Sequence, residues 1–196
     1  MVVKASDRRT SLVKAAVRVI AEHGVEGATT RRIAAAAGGS LASLHYVFDS
    51  KEALFFAIWE EQVRALEQSA RAGARRDGLG PTADRLLRET FDWFRADEPY
   101  ARAQLELTFW ALRRDSALGI GTYDLHIKVM REGLEQGLLP QEDASLIEGL
   151  ARLIVALADG ISLQWMCYRD EQRLATDLDN ARSALLAVTG RSPSAG

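Results

Sequence analysis

The chain has 196 residues, 47% of them apolar and 27% charged, which excludes a disordered chain and suits one large domain with a small head. Its formal net charge of −2 conceals an asymmetry: residues 1–54 hold eight Lys/Arg against five acids, and the remainder holds seventeen bases against twenty-two acids. A basic head on an acidic body points to a polyanionic partner for the head.

Cys167 stands alone, so no internal disulfide can form, and no Cys/His spacing builds a zinc site. Neither a metal nor a cofactor is expected. The first twenty residues interrupt their apolar positions with charges at helical spacing, unlike a signal peptide. Nowhere do about 18 apolar residues run together as a membrane span needs. A cytoplasmic protein with no membrane partner is expected.

Apolar residues recur with the 3.6-residue period nearly throughout, which predicts an all-α fold of about nine helices. The first is expected over 8–23, with Leu12, Ala16, Val19 and Ile20 on one face and Gly24 as its stop. Thr29 is placed to cap a second helix over 30–37 that buries Ile33, Ala34 and Ala37. Gly38-Gly39 turns the chain, and Ser40 caps a third helix over 41–47. Either Asp49 or Ser50 caps the fourth, Asp49 and Glu52 having the spacing of a capping box. That fourth pattern persists over 51–72 before the loop stretch GARRDGLGP at 73–81. Five more helices are predicted over 82–96, 98–114, 116–136, 143–169 and 172–189, and the last six residues are expected to fray.

Two short helices joined by a glycine turn make a helix-turn-helix (HTH), whose second helix can lie in a DNA major groove. Leu44 and Phe48 are expected to point inward with Ile33, leaving Leu41, Ala42, Ser43, His45 and Tyr46 on the outer side. Ser50 and Lys51 bring backbone N–H groups, the positive end of a helix dipole and a cation to one point, which makes a phosphate clamp. Thr30 with Arg31 or Arg32 offers a second clamp at the start of the second helix. The candidate DNA contacts are therefore Thr30, Arg31, Arg32, Ser40, Leu41, Ser43, His45, Tyr46, Ser50 and Lys51.

Residues from about 8 to 58 resemble the DNA-binding domain of the TetR (tetracycline-repressor) family of transcriptional regulators. The resemblance is carried by Gly24, the ATTRRIA run from Ala28 to Ala34, Ala37-Gly38, Ser40, Leu44, Tyr46, Phe48 and the block Ser50-Lys51-Glu52-Ala53-Leu54. Three positions depart from it: Leu41 where lysine is frequent, His45 where an aromatic is usual, and Asp49 where proline is common. The resemblance implies a homodimeric repressor of double-stranded DNA, with an N-terminal three-helix HTH domain over 1–54. A C-terminal helical domain over 55–196 would bind a small apolar or amphipathic effector and hold the dimer together.

In that C-terminal part, Phe91, Phe94, Trp110, Tyr123, His126, Met130 and Trp165 are candidates to line an effector pocket. Taken singly, such residues more often fill a core, and only the resemblance favours a pocket for the set. Gln104 and Gln164 are further candidates for polar contact. The last two helices carry Leu150, Ile154, Ile161, Leu178, Ala181 and Leu185, the candidate dimer contacts; the resemblance implies a four-helix bundle with a second copy. An enzyme is not expected, because His23, His45 and His126 are scattered and Cys167 has no evident partner, so no residue is nominated as catalytic. The alternatives are a DNA-binding regulator without small-molecule control and a helical adaptor protein.

Overall fold

The computed structural model describes residues 5–114 and 116–190, and among these every regular element is an α-helix. In chain order they are α1 (Ala5–Gly27), α2 (Thr30–Ala36), α3 (Leu41–Val47), α4 (Lys51–Ala72), α5 (Leu79–Ala96), α6 (Glu98–Arg114), α7 (Ser116–Gly137), α8 (Leu146–Tyr168) and α9 (Glu171–Thr189). The tail from 191 onward, expected to fray, lies outside the described residues. The helices group into two compact units, one reaching to Gln62 and taking in Ala96–Thr122, the other formed by Val63–Arg95 and the chain from Tyr123 onward. The boundary expected after residue 54 falls within α4.

In the first unit α1 is the central helix, packing on α2, α3 and α6. Leu12, Ala16, Val19 and Ile20 are buried as their spacing predicts, but so are Val13, Ala15 and Val17. A helix with neighbours on several sides buries more than one stripe, and α6 supplies a side that the sequence period of α1 alone does not announce. Gly24, at φ 68°, breaks α1 where its stop was expected, and the chain resumes helical conformation to Gly27. The Val25 N–H then donates to Glu106 Oε2 on α6 at 3.5 Å.

Ser50, rather than Asp49, caps α4: its Oγ accepts from the Ala53 N–H at 2.9 Å. Within the same unit α4 runs antiparallel to α6. Glu52 pairs with Arg114 at 3.4 Å, Phe55 meets Trp110 edge-on with ring centroids 5.3 Å apart, and the Tyr100 hydroxyl donates to the Ile58 carbonyl at 2.8 Å.

In the second unit α5 starts three residues before its predicted position, inside the stretch expected to be loop. The cause lies in distant sequence. The Glu142 carboxylate accepts from the Leu79 N–H at 2.9 Å and from the Leu139 N–H at 2.9 Å, so it satisfies an orphan donor of α5. Pro81 is tolerated in this first turn because its missing N–H has no intrahelical role there. Arg88 joins α5 to α9, reaching Asp84 at 2.9 Å and Asp179 at 2.8 Å. Arg169, in the left-handed conformation at φ 53°, closes α8, and Asp170 caps α9 by accepting from the N–H groups of Gln172 and Arg173 at 2.9 and 3.0 Å. Among the described residues no helix is long and apolar enough to cross a membrane.

Candidate nucleic-acid interface

The HTH is built from local hydrogen bonds on a buried footing. Thr29 Oγ1 accepts from the Arg32 N–H at 3.2 Å and starts α2, while Ser40 Oγ accepts from the Ser43 N–H at 3.1 Å and starts α3. Between them the turn passes through Gly38 at φ 67°, a region that L side chains rarely occupy. Each helix has only seven residues, too few to persist alone in water, so tertiary anchoring must hold them. The anchors are Ile33, Ala34, Leu44 and Phe48, all buried, with Ile33 and Leu44 fully so. Ala37, expected to be buried with them, is only half-buried.

With Leu44 turned inward, the opposite side of α3 faces water: Ala42 and His45 are exposed and Tyr46 is 88% exposed, with Leu41 half-exposed beside them. This is a short, rigid rod with an imidazole and a phenol on its outer face, fit to donate hydrogen bonds to phosphate or base edges. The Ser43 hydroxyl is directed to the start of its own helix, donating to the Ser40 carbonyl at 2.7 Å. Ser40 and Ser43 thus build the reading helix.

The two expected clamps are arranged differently from each other. At the start of α2, Arg32 donates to the Gly27 carbonyl at 2.6 Å and so fastens the α1–α2 turn, while Arg31 is exposed and Thr30 half-exposed. At the start of α4, the Lys51 ammonium donates to the Val25 carbonyl at 3.2 Å and lies 5.1 Å from the Phe55 ring centroid. Lys51 therefore ties α4 to the end of α1, and the Ser50 hydroxyl oxygen is engaged as the cap. An ammonium has three donors, so the Val25 bond does not exhaust it.

Sequence reasoning missed Arg8. A Cβ added at Gly39 would lie 3.0 Å from Arg8 Nη2, so this guanidinium sits against the HTH turn. Only the packing of α1 on α2 and α3 brings it there; no local spacing announces it. Arg18 is similarly recruited, donating to the Ala36 carbonyl at the end of α2 at 3.3 Å.

The aromatic set nominated for an effector pocket is not gathered in one unit. Trp110 belongs to the first unit, where it packs on Phe55, and the other six belong to the second. There Phe91 and Phe94 pack edge-on, centroids 5.8 Å apart, and Met130 is buried. Trp165 is buried with its Nε1–H donating to Glu171 at 3.2 Å. Tyr123 donates to Asp159 at 2.8 Å, and His126 lies near enough to act on the same carboxylate. Burial pushes the Asp159 carboxyl above its usual range, against the opposing pull of Tyr123 and His126. Burial and Asp159 together push the Tyr123 phenol up to about 12. Gln164 is exposed and accepts from Arg173 at 3.3 Å.

All six candidate dimer contacts, Leu150, Ile154, Ile161, Leu178, Ala181 and Leu185, are buried within their own chain. Ile161, Leu178 and Ala181 keep a small exposed fraction, whereas Leu150, Ile154 and Leu185 keep almost none. The period that marks an apolar side does not say whether that side turns inward or toward a partner. The outer side of α8 presents Gly149, Ala156, Gly160 and Leu163 instead.

Residues 12–58, which span α2, α3 and most of α1, match the family described as "Bacterial regulatory proteins, tetR family". The HTH-type nicotine-responsive transcriptional repressor HdnoR of Paenarthrobacter nicotinovorans is 30% identical over 187 residues, covering 94% of this chain and 96% of that protein. Among solved structures, multidrug binding protein EbrR complexed with imidazole is similar at TM-score 0.66 and 26% identity, over 96% of this chain and 93% of that one. Fatty acid degradation regulator FadR from Bacillus halodurans is similar at TM-score 0.67 and 26% identity, over 91% and 94%. A capped HTH with an exposed reading face, matched end to end by such a relative, identifies the chain as a member of the tetR family of bacterial regulatory proteins, a DNA-binding transcriptional regulator and not an enzyme.

Proposed function

We propose that this regulator is a cytoplasmic homodimeric repressor that lays α3 of each copy in the major groove of a palindromic operator and lets go when a small apolar or amphipathic molecule binds its helical body. The observation that carries this reading is the outer face of α3, where His45 and a Tyr46 that is 88% exposed stand on a helix fixed from beneath by fully buried Leu44. His45, Tyr46, Leu41 and Ala42 are the side chains for base edges, sugars and thymine methyl groups. Thr30, Arg31, Arg8 and the remaining donors of Lys51 serve the phosphates and set the register.

Two copies related by a twofold axis present their α3 helices to half-sites roughly 34 to 36 Å apart, or a multiple of that, which is why the operator should be a palindrome. The outer side of α8, with Ala156, Gly160 and Leu163 exposed, is the surface on which the second copy sits. The names of the relatives, nicotine-responsive and multidrug binding, favour a small-molecule effector here too. Such an effector releases DNA only by its differential affinity for the two spacings of the heads, typically about 1 to 3 kcal/mol.

Selection of bound DNA from a random pool tests the reading. A palindrome with half-site centres one helical turn apart, or a multiple of a turn, is expected; enrichment of an asymmetric site, or of nothing, overturns it.

A further inference from the structure

Among the polar atoms of the first unit that are buried without a hydrogen-bond partner are the indole Nε1–H of Trp59 on α4 and the side-chain Oε1 of Gln104 on α6. Trp59 is 0% exposed. Buried polar groups are nearly always paired, so an orphaned donor and an orphaned acceptor in one small unit ask for a common explanation. They also share a place. The antiparallel contacts Glu52 with Arg114, Phe55 with Trp110 and Ile58 with Tyr100 set the register of α4 against α6. Trp59 lies one turn, four residues, from Phe55, and Gln104 lies one turn from Tyr100 toward Trp110, so each residue shares the face by which its helix meets the other.

A donor and an acceptor can satisfy each other, yet these two do not. What would pair both is a group carrying an acceptor for the indole and a donor for the amide oxygen. The surroundings restrict its charge. Gln62, one turn beyond Trp59 toward the end of α4, is buried and neutral, and among the described residues of the first unit no charged residue is fully buried. An ion entering this seam would give up its hydration without a counter-charge. Phe56, edge-on to Trp59 with centroids 6.2 Å apart, adds an aromatic wall for an apolar frame.

Building on the effector-released repressor proposed above, we infer that the effector seats on the α4–α6 seam and is an uncharged molecule with an apolar body, one acceptor directed to Trp59 Nε1–H and one donor directed to Gln104 Oε1. Lactams and secondary amides on a flat frame have this pairing of C=O and N–H. The aromatic side chains of α5, α7 and α8 then keep a packing role.

The test uses the full chain bound to its selected operator and three probes on similar flat frames: 2-quinolone, which is neutral with adjacent C=O and N–H; N-methylquinolinium, a permanent cation; and 2-naphthoate, an anion. Thermal unfolding and operator release by fluorescence anisotropy are read for wild type, Trp59→Phe, Gln104→Leu and Gln104→Glu. Expected are a raised Tm and operator release with 2-quinolone alone, and about tenfold weaker quinolone binding in Trp59→Phe and in Gln104→Leu. Gln104→Glu should shift preference toward the cation. Operator affinity without probe checks that each variant is folded, and the two Gln104 variants stand independently of Trp59. The proposal is overturned if 2-quinolone does not bind or if an ion binds better than it does. It is equally overturned if Trp59→Phe and Gln104→Leu bind 2-quinolone like wild type, which would move the ligand elsewhere, for instance to the open cleft of about 720 Å³ lined by Lys14, Arg18 and Glu61. Release by an ion alone sinks this assignment and leaves the repressor reading standing, whereas failure to find any operator sinks the latter.

Discussion

Adjacent glycines in the HTH turn are needed for different reasons, and substitution separates them. Gly38 sits at φ 67° and a Cβ built there meets nothing within 4 Å; Gly39 has no positive φ, but its Cβ would lie 2.9 Å from Ser43 Oγ and 3.0 Å from Arg8 Nη2. Gly38→Ala therefore incurs only the left-handed backbone penalty, about 1–2 kcal/mol. Gly38→Asn should incur less, because asparagine visits that region more readily, although it is the larger side chain. Gly39→Ala instead displaces the Ser43 hydroxyl from its 2.7 Å bond to the Ser40 carbonyl, worth about 0.5–1.5 kcal/mol, and pushes Arg8 aside. Because the turn sets α3 against α2, the same strain should appear in operator affinity, as a loss of about 5- to 30-fold for Gly38→Ala if all of it is expressed there. Urea denaturation and anisotropy titration of the operator at one fixed salt concentration give both readings. Conformation is the wrong explanation if Gly38→Asn is worse than Gly38→Ala, or if Gly38→Ala matches wild type in both assays.

Leu44→Ala should destabilise the chain by about 2–5 kcal/mol and abolish operator binding with it. Tyr46→Ala should stay within about 0.5 kcal/mol of wild type and shift the sequence preferred in DNA selection; unchanged preference would remove Tyr46 from the reading face. Lys51→Ala should flatten the salt dependence of DNA binding by about one unit of slope and weaken binding to all sequences alike, and a slope equal to wild type would leave Lys51 a purely structural tie. The Tyr123 phenol, raised from about 10 to about 12 chiefly by burial, holds its proton longer folded than unfolded. Its contribution is thus whole below pH 10 and lost as pH climbs through about 12, so Tyr123→Phe should show a shallower alkaline fall in Tm than wild type; identical falls would contradict this. If the proposed dimer forms through the outer side of α8, wild type should sediment as a dimer and Ala156→Arg as a 21.5 kDa monomer of unchanged helicity; a variant that stays dimeric would move the interface off that surface, and a monomeric wild type would remove it.

What the sequence determined by itself is whatever closes within a few residues. Thr29 and Ser40 could be read as caps because each oxygen accepts from an N–H three residues on, and Gly38 as a turn because its φ requirement belongs to its own backbone; at α4 the spacing left Asp49 and Ser50 open, and the structure chose Ser50. The helical period, likewise local, placed α2, α3, α4, α6 and α9 to within a residue or so. The inward Leu44 and outward Tyr46 follow from the same period applied to one short helix. Only the tertiary structure decided what depends on which elements meet. α5 begins at Leu79 because a carboxylate 63 residues further along the chain accepts its first N–H. Lys51 is turned to the Val25 carbonyl, and Arg8 is carried to Gly39, because α1 packs on α2 and α3. Leu150, Ile154, Leu174 and Leu185 of α8 and α9 are buried within their own chain, a choice their spacing leaves open. Periodicity fixes that a helix has an apolar side, since that is a property of 3.6 residues per turn; which neighbour covers that side, and which charged side chain finds a partner across the fold, is set by long-range packing that no local window contains.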